Sequence, residues 1–463
     1  MNLKINKLKN QKGSALLPVL SVFFILILIF TSVVMYGAWH RLRARLTLQK
    51  LKASYLAEAG VNRALWLLSG QEQKDLNFRT EGYLQKIDDL QNYQFKIRNW
   101  GGYLLVESEG KAGRVKKSVK ALIGQKQTEE FNRAINLGSP DYPLILAGRT
   151  RIKGDVLLSL AGVMEGKFKG EGFSGDTLVD GKISTQKGKR LPIFNTDLTI
   201  EFEKNVKQLK ETTDYRIDKS LTLDEKVEPD YLKAKTTYIN GSILINAYKE
   251  KTFKGPGFLY CTGKIEITGE SRLEDRFIFV SEKIIEVSGK ALLKDCILYS
   301  KKQVILKDDA VFEGQIFSDS SIVMEDKAKT IFPSFLLLTG KKVKDRIEGK
   351  IEIKSKESEG ILAFQEWDIQ GSAFFIKNNG IITISPETVF KGMIYSSNYT
   401  DLEGVLHGNV STNMFYFYSE PTTYIDWLKD AVVNRSELKK EIVLPLVFGK
   451  NHKLEIARYE EID

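Results

Sequence analysis

The sequence predicts a mainly β protein carried on one long N-terminal helix. A small antiparallel sheet follows the helix, and a β-solenoid with a C-terminal cap makes up the rest. Three observations lead there. Twenty-seven residues, Gly13 to Trp39, hold no formal charge and run without a helix breaker into a stretch of helical periodicity. Residues 93–123 alternate apolar and polar side chains between glycine turns. From about residue 144, short β-rich runs recur every 19–20 residues.

The uncharged stretch exceeds the ~20 apolar residues that cross a bilayer as helix, which makes it a transmembrane span and the lipid bilayer a partner. It is too long for a secretory signal, and no small-x-small site follows it. Apolar residues then continue at Leu48, Leu51, Tyr55 and Ala59, then at Val61, Leu65 and Leu68, and within each run the steps of three and four mark one helical face. Residues 14–69 therefore read as a single helix, ~84 Å long at ~1.5 Å per residue. The formal charge of +10 belongs to this end: residues 1–69 carry ten Lys or Arg against one acid, Glu58, and the rest of the chain nets +1. A body so balanced gives no reason to expect a nucleic-acid partner. Basic residues flank the span on both sides, so the positive-inside rule does not orient it.

A short basic leader ending in Lys12–Gly13, followed at once by an apolar helix, resembles a type IV prepilin leader. The stretch LKASYLAEAGVNRAL (51–65) resembles the N-terminal segment of PilX-type minor pilins and related pseudopilins. The resemblance covers residues 9–70. It implies cleavage by prepilin peptidase between Gly13 and Ser14, an extracytoplasmic body, and residence in the bacterial inner membrane or in a surface or periplasmic filament. It also implies other pilin-like subunits and an inner-membrane assembly platform as partners. Pro18 stands at the fifth mature position, where major pilins have Glu, and Ser14 stands where Phe is usual. GspK-like tip pseudopilins also lack that Glu, so the resemblance implies a tip or priming subunit. The alternative is a signal-anchor that is never cleaved.

Within residues 70–124, alternation at Tyr93, Phe95 and Ile97 and at Val115, Val119 and Leu122 predicts a three-stranded meander over 93–123, turning at Gly101–Gly102 and Gly110–Gly113. Residues 125–143 read as a polar linker. The solenoid, 144–420, rests on repeats: Gly269 with Gly289, Asp275 with Asp295, Leu273 with Leu293, Phe312 and Ile331, and Ile297 with Ile316. AVFEGQIFS (310–318) returns as TVFKGMIYS (388–396), 78 residues on, which reads as four coils. A fixed period with β-branched residues means stacked units, about eleven coils in all. That periodicity resembles bactofilin-like and right-handed β-helix proteins; a β-sandwich is the alternative. Residues 186–235 break the period and predict a helix with Leu198, Phe202, Val206 and Leu209 on one face. Residues 421–463 are expected to cap the last coil, beginning with a short helix through Ile425, Leu428 and Val432. The aromatic run MFYFYSEP (414–421) belongs either to that cap or to a sugar-stacking surface.

Little chemistry is legible. GDTLVDGKIS (175–184) misses the P-loop spacing. Three His and two Cys leave no material for a zinc site or a disulfide framework, so no metal, no cofactor and no catalytic residue is expected. Cys261 and Cys296 read as isolated buried thiols, with a pairing in an extracytoplasmic body as the alternative, and His407 reads as a turn residue. An alternative enzyme reading places Ca²⁺ among Asp275, Asp295 and Asp308–Asp309 with Lys294 or Lys307 as base, as in an anchored β-helix polysaccharide lyase. A bactofilin-like scaffold polymerising end to end is a third reading. The leading one is a non-enzymatic minor pilin or pseudopilin-like subunit.

Overall fold

The computed structural model describes residues 16–69, 81–88, 90–139, 142–188, 191–195, 204, 206–208, 210–228, 231–233, 235–339, 341–343, 346–365, 380–438, 442–448 and 453–462. The leader, with Gly13 and Ser14, lies outside them. Helix α1, Leu16–Ser69, is continuous over 54 residues. Pro18 falls in its first turn, where a missing N–H costs nothing. Strands β1 (Glu81–Lys86), β2 (Gln91–Trp100), β3 (Tyr103–Ala112) and β4 (Val115–Gln125) form an antiparallel meander in sequence order. The last three match the expected strands. A fifth strand, Leu454–Ile462, pairs antiparallel with β4 and completes the sheet from the other end of the chain.

Beyond the sheet stands a solenoid with three parallel faces. On the first face Gly257, Phe277, Cys296 and Gly314 stack in one row, 20, 19 and 18 residues apart. The steps before them are 22, and later ones are 26, 32 and 16. An antiparallel hairpin, Lys341–Val343 with Arg346–Glu348, fills the 26-residue coil. Gln315, Phe335, Ile361 and Met393 are successive neighbours, so the 78-residue repeat spans three coils rather than four. The equivalence was right; the corner insertions made the division wrong.

Two predicted ladders shift by one residue. Phe312 is followed by buried Thr330, not Ile331, and Ile316 stacks on Leu298, not Ile297. The second shift comes from a bulge at Asp295, between Lys294 and Cys296, which adds one residue to that coil. A one-residue slip sends a side chain to the opposite face of its strand. Asp275 and Asp295 both sit in the left-handed region, φ 70° and 58°. A second corner column is Gly269, Gly289, Asp308 and Asp326, all at φ between 55° and 73°. Asp joins Gly there because its short side chain tolerates that backbone and caps it: Asp308 accepts from Gly289 N–H at 2.8 Å.

The stacking order departs from the sequence order. After Val405–Ser419 come Trp427–Lys429 and Val432–Asn434, strands where a short helix was expected. On them, in parallel, stack Ile135–Leu137, Leu144–Ala147 and Arg151–Lys153, followed by Val156–Leu158, Val163–Glu165 and Ile183–Thr185. The residues that close this end of the rod are thus the first solenoid residues of the chain. They begin at Ile135, inside the expected linker, not at the predicted cap 421–463. The chain then returns along the first face. Pro192 O accepts from the Tyr395 hydroxyl at 3.3 Å, Phe194 stacks on Tyr395, and Val206, in the predicted helix, is buried beside Tyr260 and Val280. The described residues among 204–211 are helical, but 215–223 already form coil strands at the far end. Leu198, Phe202 and Leu209 lie outside the described residues. Thirteen described strands line the first face, ~58 Å of rod at ~4.8 Å per step.

Inside runs one continuous apolar column that includes Leu273, Phe277, Leu293, Cys296, Phe312 and Ile316. Cys261 and Cys296 are free and buried in it, and burial pushes both thiols up.

Candidate functional site

Two features present a surface for function: the helix and the seam that holds it to the rod. Every residue of α1 from 16 to 48 is exposed, and its most apolar 18-residue window has a mean hydropathy of 2.8. The later third lies on the sheet through Ala53, Leu56, Ala57, Gly60, Val61, Ala64 and Leu68. Small side chains dominate because the contact is close. A Cβ on Gly110 would lie 2.2 Å from the Ala53 carbonyl, and one on Gly60 would lie 2.1 Å from the Ser108 hydroxyl. The Ala57–Gly60 core of the prepilin-like motif therefore has a packing role in this chain.

The predicted helical face is right in its second part, where Val61 and Leu68 are buried on the sheet with Leu65 beside them, and wrong in its first. Leu48, Leu51 and Tyr55 are 52%, 50% and 61% exposed, and they lie about half a turn from the buried set at 100° per residue. The helix carries apolar residues on two opposite sides, and its own sheet covers only one.

The sheet is fastened to the rod by an ionic seam. Lys120 of β4 reaches Asp275 at 2.7 Å and Asp295 at 3.5 Å. Arg458 of the C-terminal strand pairs with Asp295 and with Glu313, Arg276 with Glu107, and Lys294 with Glu460 at 2.7 Å. Gln315 ties the β2–β3 turn, donating to Trp100 O at 2.7 Å and accepting from Gly102 N–H at 2.6 Å. Burial raises the Asp275 carboxyl, but the Lys120 ammonium and Arg276 outweigh it and hold the group below its ordinary value. Burial likewise lowers Arg458, and Asp295 with Glu313 more than reverse it.

The proposed calcium cluster is not assembled. Asp275 and Asp295 stand at one corner, neutralised by the sheet, while Asp308 caps a different corner. The hydrogen bond from Lys294 to Glu460, and that from Lys307 to Glu286, raises each amine, the opposite of what a base needs. No group of three or more metal-ligating side chains occurs among the described residues. His407 lies within a strand, stacked on Lys391, and not in a turn. The aromatic run forms a hairpin, with 416–419 pairing antiparallel to 422–425. Phe415 and Phe417 turn inward and Tyr418 outward. Sequence reasoning missed the seam, because its partners lie up to 215 residues apart.

No protein-family profile and no curated protein matches the chain. Among solved structures it is similar to the competence-associated pilin ComZ from Thermus thermophilus, at 12% identity and a TM-score of 0.22, over 89% of this chain and 97% of that one. So low a TM-score makes the likeness too loose to carry weight.

Proposed function

We propose that the chain is a membrane-anchored, non-enzymatic pilin-like subunit of a type IV pilus or secretion filament, placed at the tip or in priming, with its solenoid outside the membrane. The observation behind this is the division of α1. Thirty-three exposed residues, 16–48, give ~50 Å of helix at ~1.5 Å per residue, enough for a ~30 Å hydrocarbon core and a spacer beyond it. The following turns are clamped to a sheet on one side and keep Leu48, Leu51 and Tyr55 uncovered on the other. In this reading that second stripe packs against the helices of neighbouring subunits, and the rod rides outside as a lateral surface. Prepilin peptidase and the assembly platform are the partners it requires.

The test is the mature N-terminus, read by mass spectrometry from membranes with and without prepilin peptidase. The expected result is a peptidase-dependent start at Ser14. An intact Met1 in both samples would sink the reading and leave an anchored solenoid.

A further inference from the structure

The first face of the rod is covered by the returning chain and the sheet. The second face is left uncovered by the described residues, and it holds a groove of about 1300 Å³. Its floor is built from outward rows of stacked coils: Lys350, Ile381 and Tyr399 in one, Glu352, Thr383 and Asp401 in the next. Its wall is the aromatic hairpin, which contributes Tyr416, Tyr418 and Tyr424, with Trp427 beyond it. Tyr424 and Trp427 meet edge to face at 5.1 Å, which fixes their rings.

The polar groups of the floor are mostly acceptors. Lys350 is held by Glu352 at 2.8 Å. Asp401 and Glu403 have no ion-pair partner among the described residues, and Asp401 Oδ1 is buried without a hydrogen-bond partner. Burial, then Glu403, pushes the Asp401 carboxyl up to about 7. Lys350, the one cation among the described lining residues, is already paired with Glu352, which leaves little to hold a uronate or phosphate. The groove offers flat rings for stacking and carboxyls for hydroxyl groups.

We propose that this groove binds an uncharged glycan chain, its pyranose rings stacked on the hairpin aromatics and its hydroxyls bonded to Asp401 and Glu403. The walls suit the two kinds of surface a sugar ring presents, an apolar C–H face and a polar rim. The strand direction runs across the rod and the coil rows run along it, so an extended oligomer can follow the rows from Ser321 to Ile145, ~29 Å at ~4.8 Å per coil. The proposal holds whether or not α1 enters a filament.

Full-length protein is titrated in a detergent without a sugar headgroup, following tryptophan fluorescence. The probes are the hexamer of N-acetylglucosamine, cellohexaose and, as the anionic control, hexagalacturonate. Saturable binding of at least one neutral hexamer is expected, with weaker or no binding of the anionic one. Tyr418→Ala and Asp401→Asn are each expected to weaken it about tenfold, the loss of one stacking ring or one strong hydrogen bond, with unchanged circular dichroism. No saturable binding of either neutral hexamer overturns the proposal. Tighter binding of the anionic oligomer overturns it too, as does undiminished binding by the Tyr418→Ala, Asp401→Asn double variant.

Discussion

Two flanks of the same rod carry enclosed aspartates, and they are treated in opposite ways. Asp275 and Asp295 at one corner are met by Lys120, Arg276 and Arg458 and serve as structural charges. Asp401, on the open face, is almost as enclosed yet has only Glu403 and a distant Lys350 to feel. A repeat places side chains, but what packs against the coil decides whether a carboxylate becomes a fastener or an unspent acceptor.

The largest effect tests the fastener. Arg458→Ala leaves Asp295, whose side chain is 7% exposed, without its guanidinium. The expected loss is about 2–4 kcal/mol in urea unfolding, because a strong charge-assisted bond to a buried carboxylate is lost and Lys120, at 3.5 Å, compensates Asp295 only in part. Removing both charges, as Arg458→Met with Asp295→Asn, is expected to recover most of that loss. Strict additivity of the two would show that the seam is not coupled.

Asp401→Asn probes the other flank and has the reverse sign. The folded pKa near 7 lies above the unfolded value of ~3.9, so the folded state holds the proton more tightly. Wild-type stability therefore falls as pH rises from about 4 through 7, and the variant escapes that fall. A gain of roughly 1–3 kcal/mol at pH 8, vanishing at pH 4, is expected from thermal melts across that range.

Asp275→Asn returns to the seam at a more exposed point. Its pKa is depressed, so its contribution is present above the unfolded value and disappears as pH falls through the folded one, below about 4. With 37% of the side chain exposed, the loss at pH 7 is expected to stay near 1 kcal/mol. The smallest effect is expected from Lys327→Ala, whose pairing with Asp309 at 3.7 Å is open to solvent on both sides. A change above about 0.5 kcal/mol there would erase the distinction between seam and surface pairs.

Much of the fold can be read without coordinates. The helix, strands β2 to β4 and the coil rows around Gly269–Gly289 and Leu273–Leu293–Phe312 all follow from local periodicity. Periodicity failed where it did not identify its partner. Leu48, Leu51 and Tyr55 repeat at helical spacing, yet the sheet chose the opposite side because only Ala and Gly let β3 come close. In residues 422–434, turns at Asp426 and Asp430, φ 58° and 55°, bend a helix-like apolar pattern into coil strands.

The sequence alone determined the kinds of element: an apolar span from its lack of charge, strands from alternation, stacked coils from a period near 20. Each depends on neighbours within one or two turns of chain, so the local pattern suffices. Only the tertiary structure decided which coil lies on which, that Ile135–Lys153 closes the rod after Val432–Asn434, and that Leu454–Ile462 finishes the sheet. Parallel coils present the same row of backbone donors and acceptors to any neighbour, so hydrogen bonding leaves their order open. Side-chain fit and the charges at the corners settle it, and those come from residues hundreds of positions away.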